Sequence, residues 1–184
     1  MRDLVNRTAI ITGASRGLGV SIAHALAREG MHLVLAARST PELRALADEL
    51  TAGGHKAIAV PTDVGLRADL QALVAAATRE FGTIDVLVNN AGIELTRSYH
   101  KASCEDVERT ILVNLTAPMA LTHLVLPRML EQSSGHVVNV ASLAGKQGMA
   151  YMEAYAASKA ALIGFTASLR ASYRHKGVSA SAIC

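Results

Sequence analysis

The feature that most constrains this chain is an apolar run, Thr8-Ala9-Ile10-Ile11-Thr12, that passes directly into Gly13-Ala14-Ser15-Arg16-Gly17-Leu18-Gly19 and then into a helical pattern. A run apolar at nearly every position suits a strand buried on both faces, which is the habit of parallel sheets. A glycine-rich turn between such a strand and a helix lies at the sheet's carboxyl edge. There Gly13 permits a tight turn, Gly17 lets a pyrophosphate approach the backbone, and Gly19 lets the helix pack closely. The free amides and the dipole of the helix then face the phosphates. The spacing is GxxxGxG, not GxGxxG, so the turn alone is a modest signal.

The rest of the chain repeats the alternation of strand and helix. Six strands are predicted, over Thr8 to Thr12, His32 to Ala36, Lys56 to Val60, Val86 to Asn89, His136 to Val140 and Val178 to Ile183. Helices are expected from Gly19 to Arg28, from Thr40-Pro41 to Gly53-Gly54 with Thr40 as cap, and from Leu66 to Phe81. Two more run from Cys104 to Glu131, with Pro118 near a kink or break, and from Met152 to His175. The expected fold is α/β, a Rossmann-like, doubly wound parallel sheet in one domain spanning residues 1–184.

Composition removes other classes. With 51% hydrophobic and 18% charged residues the chain is not disordered. A net charge of +3, scattered basic residues and 3% aromatics without Trp argue against nucleic acid as a partner. Arg174, His175 and Lys176 precede Gly177, where cations complement a helix end. Cys104 and Cys184 have no metal or redox spacing, so no metal site is expected and a reducing, cytoplasmic setting is. No apolar run approaches the ~18 residues of a membrane span, and no signal-peptide core is read.

The second strand ends in Ala37-Arg38-Ser39, where a ribose 2′-hydroxyl ordinarily meets an acidic side chain. Arg38, with Arg16 in the glycine turn, instead offers guanidinium groups suited to a 2′-phosphate, which favours NADP(H) over NAD(H). Downstream stand Asp63-Val64, Asn89-Asn90-Ala91-Gly92, Asn114, Ser142 and Tyr155-Ala156-Ala157-Ser158-Lys159. Four residues apart on a helix, Tyr155 and Lys159 share one face, so an ammonium sits near a phenol and favours loss of its proton. Ser142 follows a buried strand, where its hydroxyl can hydrogen-bond a substrate oxygen.

In the order and spacing of its TGxxxGxG, DV, NNAG, Asn, Ser and YxxxK elements, the chain resembles the short-chain dehydrogenase/reductase family from about Thr8 to its last residue. The resemblance implies a catalytic tetrad. Tyr155 exchanges the proton, Lys159 assists it and holds the nicotinamide ribose, Ser142 orients substrate, and Asn114 supports a water relay toward Lys159. It also implies a dinucleotide held by Gly13, Ser15, Arg16, Gly17, Leu18, Gly19 and Arg38. Asp63 and Val64 meet the adenine, while Asn89, Ala91 and Gly92 line the cofactor and Asn90 serves mainly structure.

The expected activity is hydride transfer between NADP(H) and a carbonyl or secondary alcohol. The alternatives are an epimerase or dehydratase that retains its nucleotide, and a noncatalytic NADP(H)-sensing protein. Residues 93–99 and 143–151 are expected to wall the substrate pocket, with Glu94, Arg97, Lys146 and Gln147 as polar contacts. A homodimer or homotetramer is implied by resemblance alone. The chain stops at Ser181-Ala182-Ile183-Cys184, where family members continue into a Pro-Gly turn, a substrate lid and a seventh strand, so those parts are expected to be missing.

Overall fold

The computed structural model describes residues 4–184. Six parallel strands form one sheet: β1 (Thr8–Thr12), β2 (His32–Ala37), β3 (Ala57–Pro61), β4 (Val86–Asn89), β5 (Gly135–Val140) and β6 (Val178–Ile183). Their spatial order is β3-β2-β1-β4-β5-β6, so the direction of winding reverses between β1 and β4. In such sheets the crevice at the carboxyl ends beside that reversal is where ligands bind.

Six α-helices connect the strands: α1 (Leu18–Arg28), α2 (Thr40–Ala52), α3 (Arg67–Phe81), α4 (Cys104–Ile111), α5 (Ala117–Glu131) and α6 (Glu153–Tyr173). Alternate strand residues feed two cores. Ala9, Ile11, Leu33 and Leu35 pack with Ala23 and Ala27 of α1 and Leu43 and Leu46 of α2. Ile10, Val34, Leu87 and Val137 pack with Leu70 and Leu73 of α3, Leu121 and Val125 of α5, and Leu169 of α6.

β1 is buried at every position, as its apolar run requires. The second half of the sheet differs from the expectation of burial on both faces. In β5, Gly135, Val137 and Asn139 are buried while His136, Val138 and Val140 are half-buried, because the helices against β5 are α5 and α6, on one side.

The predicted strand ends agree to within a residue. Three helical details are corrected. Ser39, not Thr40, is the residue before α2; Thr40 is its first residue, Pro41 occupies the tolerated opening turn, and no side chain caps the amides. The run from Cys104 to Glu131 is interrupted at Leu112–Thr116 by a π-helical segment. Pro118 has no N–H for the Asn114 carbonyl four residues back, which helps explain why the α-helical pattern fails there. The whole helical run Cys104–Glu131 also averages a mean hydropathy of 1.4 over 18 residues, enough by length and composition to cross a membrane, which the apolar runs alone did not indicate. Val113, Ala117, Leu121, Val125 and Met129 on it are buried in this fold, the behaviour of a core helix.

Polar groups fix the register at both ends of the central strands. At the amino end, Asp85 accepts from Arg7 at 2.8 Å and from the Thr8 amide at 2.9 Å. At the carboxyl end, Asn89 Nδ2 donates to Asn139 Oδ1 at 2.8 Å and to Thr122 Oγ1 at 3.3 Å, and Asn139 donates to Thr166 at 2.8 Å.

Candidate active site

A groove of about 480 Å³ opens at the carboxyl edge, between the β1 and β2 turns on one side and the π-helical segment on the other. Gly13, Ser15, Arg16, Gly17, Leu18, Arg38, Asp63, Val64, Ala91 and Gly92 line it, as the sequence indicates. Gly13, at φ +67°, lies so close to the β4 turn that a Cβ would stand 2.9 Å from Ala91 Cα. Gly17 has φ +56° and open space where a Cβ would be, so it leaves both a left-handed turn and room for a ligand. At Gly19 a Cβ would run into the Gly13 carbonyl, so this glycine closes helix onto turn and does not face the groove.

The groove is built to receive negative charge. α1 begins behind Gly17 with no side-chain cap and no acidic residue in its first turn, so its leading amides keep their donors. Arg16 and Arg38 are exposed on the groove wall and, among the described residues, neither forms an ion pair. Asp63 is turned inward on its own loop, where Oδ1 accepts from the Gly65 amide at 2.9 Å.

At Gly92 the groove adjoins a second, denser constellation. A Cβ on Gly92 would stand 3.3 Å from Asn114 Oδ1 and 3.6 Å from Lys159 Nζ, so the bare glycine lets both polar groups approach the same face of the turn. Lys159 and Tyr155 meet on one face of α6, with Nζ 5.7 Å from the ring centroid. Lys159 is buried and donates to the Val140 carbonyl at 2.7 Å, at the very end of β5. Burial pulls its pKa below the ordinary 10.5, because an ammonium loses hydration there.

Ser142, two residues beyond Val140, accepts from the Ala144 amide at 3.2 Å, which leaves its hydroxyl proton for another acceptor. The turn that follows is pressed onto α6: a Cβ on Gly145 would lie 2.7 Å from the Lys159 carbonyl carbon. Thus the four residues come from three elements: Asn114 from the π-helical segment and Lys159 from α6 meet beside Gly92, Tyr155 lies one turn before Lys159 on α6, and Ser142 follows the β5 end that holds Lys159. The Tyr155 hydroxyl has no hydrogen-bond partner among the described residues.

One expected role changes. Asn89 is buried and absent from the groove wall, because both donors of its amide are spent on Thr122 and Asn139; it ties β4 to β5. The Asn114 side chain is likewise committed, accepting from the Ile93 amide at 2.8 Å and donating to the Ile93 carbonyl at 2.8 Å and Ser158 Oγ at 3.2 Å. Asn90, as expected, is structural: its amide donates to the Thr12 and Gly13 carbonyls at 2.9 and 3.2 Å. It also lines the groove.

Sequence reasoning missed Arg109 and Val113, one helical turn apart and both on the groove wall, and Ser158, which joins two catalytic elements. The spacing of Arg109 and Val113 was visible, but not which face of the helix meets the groove.

Comparison with known proteins agrees with this fold. Residues 7–184 match the family model described as short chain dehydrogenase. The chain is 46% identical over 184 residues to a ketoacyl reductase, HetN, of a Nostoc species, covering all of this chain and 64% of that protein. It is 38% identical to a 3-oxoacyl-[acyl-carrier-protein] reductase of a Synechocystis species, covering all of this chain and 74% of that one. Among solved structures, a short chain dehydrogenase/reductase from Burkholderia phymatum in complex with NAD superposes with a TM-score of 0.96 at 36% identity, over 100% of this chain and 66% of that one. A metagenomic short-chain oxidoreductase in complex with NADP gives 0.93 at 36% identity, over 98% and 82%. The chain therefore spans somewhat under two thirds of the Nostoc relative's length.

Proposed function

The chain belongs to the short-chain dehydrogenase family, and from that premise we propose that it transfers a hydride between NADP(H) and a carbonyl or secondary alcohol. The observation that carries the reading is the Tyr155–Lys159 pair, 5.7 Å from Nζ to ring centroid, lying where the nucleotide groove ends at Gly92. A nucleotide sensor has no use for an ammonium buried beside a phenol.

The residues present fit a dinucleotide. The open space at Gly17, the uncapped start of α1 and two guanidiniums without carboxylate partners among the described residues supply a backbone approach and cations for phosphate. When bound, the nicotinamide supplies or takes the hydride. In the reducing direction Tyr155 gives its hydroxyl proton to the substrate oxygen, and Ser142 donates a hydrogen bond to that oxygen as charge gathers there. Lys159, held by the Val140 carbonyl, keeps two donors for the phenol oxygen and the ribose. Asn114 holds the β4 turn at Ile93 against α6 and supports a relay toward Lys159.

The preference for NADP(H) rests on Arg16 and Arg38 together with the absence of an acid at the end of β2. Ketoacyl compounds are the substrates to try first, since relatives are named for them. Leu143, next to Ser142 in the chain, and Met149 and Tyr151, shortly before Tyr155, are exposed apolar side chains that an acyl chain would suit. The two exposed cysteines are in keeping with a reducing, cytoplasmic setting, and pairing of α4–α5 and α6 between subunits is the proposed route to a homodimer or homotetramer.

The test is a panel of β-ketoacyl and simple carbonyl substrates followed at the nicotinamide absorbance with NADPH and with NADH. Net oxidation of NADPH is expected. Binding of the dinucleotide without net absorbance change on any substrate would overturn the oxidoreductase reading, and tighter NADH binding would reverse the cofactor preference.

A further inference from the structure

We propose that Ser158 is a positioning residue: its hydroxyl clamps the Asn114 carboxamide in one orientation and joins it to the helical turn that carries Tyr155 and Lys159. The catalytic half of this inference rests on the oxidoreductase reading above; the clamp itself does not.

The assignment follows from counting donors. A serine hydroxyl has one proton. The Tyr155 carbonyl can only accept, and it lies 2.6 Å from Ser158 Oγ, so the proton goes there. Ser158 Oγ is then an acceptor toward Asn114, 3.2 Å away, and the nitrogen end of that carboxamide must face it. With the nitrogen so placed, Oδ1 accepts from the Ile93 amide and the remaining amide proton goes to the Ile93 carbonyl, each at 2.8 Å. A carboxamide turned over would set oxygen against the Ser158 oxygen and the Ile93 carbonyl at once.

The location makes the clamp count. Asn114 and Ser158 are both fully buried, so no solvent replaces a lost partner. Asn114 sits in the π-helical segment, where the regular ladder does not hold its backbone. Its Oδ1 and Lys159 Nζ both lie against the face of Gly92 where a Cβ would stand. Ser158 immediately precedes Lys159 and is one turn beyond Tyr155, so a single hydroxyl ties the β4 turn, through Asn114, to both residues of the proton-transfer pair. The hydroxyl touches no reacting atom and acts through its neighbours.

The experiment pairs Ser158→Ala with two readouts. In the protein without dinucleotide, hydrogen exchange at the Ile93 amide, which depends on Asn114 Oδ1, is expected to rise about tenfold while the Leu87 amide in β4 stays unchanged. In turnover, kcat is expected to fall about tenfold with KM and dinucleotide Kd unchanged. Asn114→Ala/Ser158→Ala is expected to be no slower than Asn114→Ala alone, as two members of one unit behave. Ser158→Cys, of similar shape but a weaker donor and acceptor, should fall between wild type and Ser158→Ala in both readouts and guards against a packing effect of the alanine.

Unchanged Ile93 exchange overturns the clamp. Faster exchange with unchanged kcat, or additive losses in the double variant, overturns its catalytic part. A wild-type protein that turns over no carbonyl defeats the oxidoreductase reading instead, and the exchange measurement still decides the clamp.

Discussion

The nucleotide groove and the proton-transfer corner adjoin at Gly92, yet they treat polar groups in opposite ways. In the groove, Arg16 and Arg38 are exposed and have no carboxylate partner among the described residues, and the first amides of α1 are uncapped. In the corner, Asn114, Ser158 and Lys159 are at most 4% exposed and every one is hydrogen-bonded to its neighbours. The groove leaves its donors for a ligand to satisfy; the corner satisfies its own and leaves the Tyr155 and Ser142 hydroxyl protons to spare. Binding tolerates groups that reorganise around a ligand, whereas proton transfer gains from groups already fixed when the substrate arrives.

The largest effect that separates the two regions is expected from Tyr155→Phe. Removing one hydroxyl from the corner takes away the proton donor and should lower kcat by about 10³, within the usual range for a general acid. The groove does not contain this residue, so the Kd for NADPH should stay within about twofold, a difference too small to count as a lost contact. Fluorescence titration of the dinucleotide beside steady-state kinetics checks both. A variant that loses binding and turnover together would erase the boundary drawn at Gly92.

Arg38→Ala is the converse and should be smaller. Loss of a charge-assisted contact to a 2′-phosphate is expected to weaken NADPH binding about tenfold and leave NADH nearly unaffected. With NADPH saturating, kcat should not change, because the corner's bonds do not reach Arg38. Equal weakening of both dinucleotides would show that the guanidinium serves the groove generally and not the 2′ position.

The groove was the more legible of the two regions. Its glycines, Arg16 and Arg38 are local features of a strand-turn-helix and a strand end, and local chemistry decides what they do. Tyr155 and Lys159 were legible for the same reason, being one turn apart. What binds the corner together was not, because it depends on partners far apart in the chain. Asn89 reads as a polar strand end facing a ligand, but parallel pairing sets it beside Asn139, fifty residues on, and it becomes a cross-strand tie. Pro118 signalled a break without telling that the Asn114 carboxamide would be held at Ile93 and Ser158. The half-buried alternation in β5 also escaped, since an apolar Val-Val pair looks the same whether one face or two are covered.

The smallest effect concerns pH and tests whether the corner is as dry as its geometry implies. Burial lowers the pKa of Lys159 from 10.5, so in the window just below 10.5 the unfolded chain binds more protons at this residue than the folded one. Folding stability then rises with pH across that window, and falls back as pH drops through the lowered folded value. Lys159→Met keeps the packing and deletes the titration, so near neutrality it should be at least as stable as wild type, a buried charge having been replaced by an apolar side chain. Its margin over wild type should shrink as pH is raised toward 10. Urea midpoints from pH 7 to 10 for wild type, Lys159→Met and Arg38→Ala make the comparison. Arg38→Ala, a change outside the corner, should run parallel to wild type while Lys159→Met converges on it. Parallel curves for all three would mean that Lys159 keeps its hydration, and that the corner is no more enclosed than the groove.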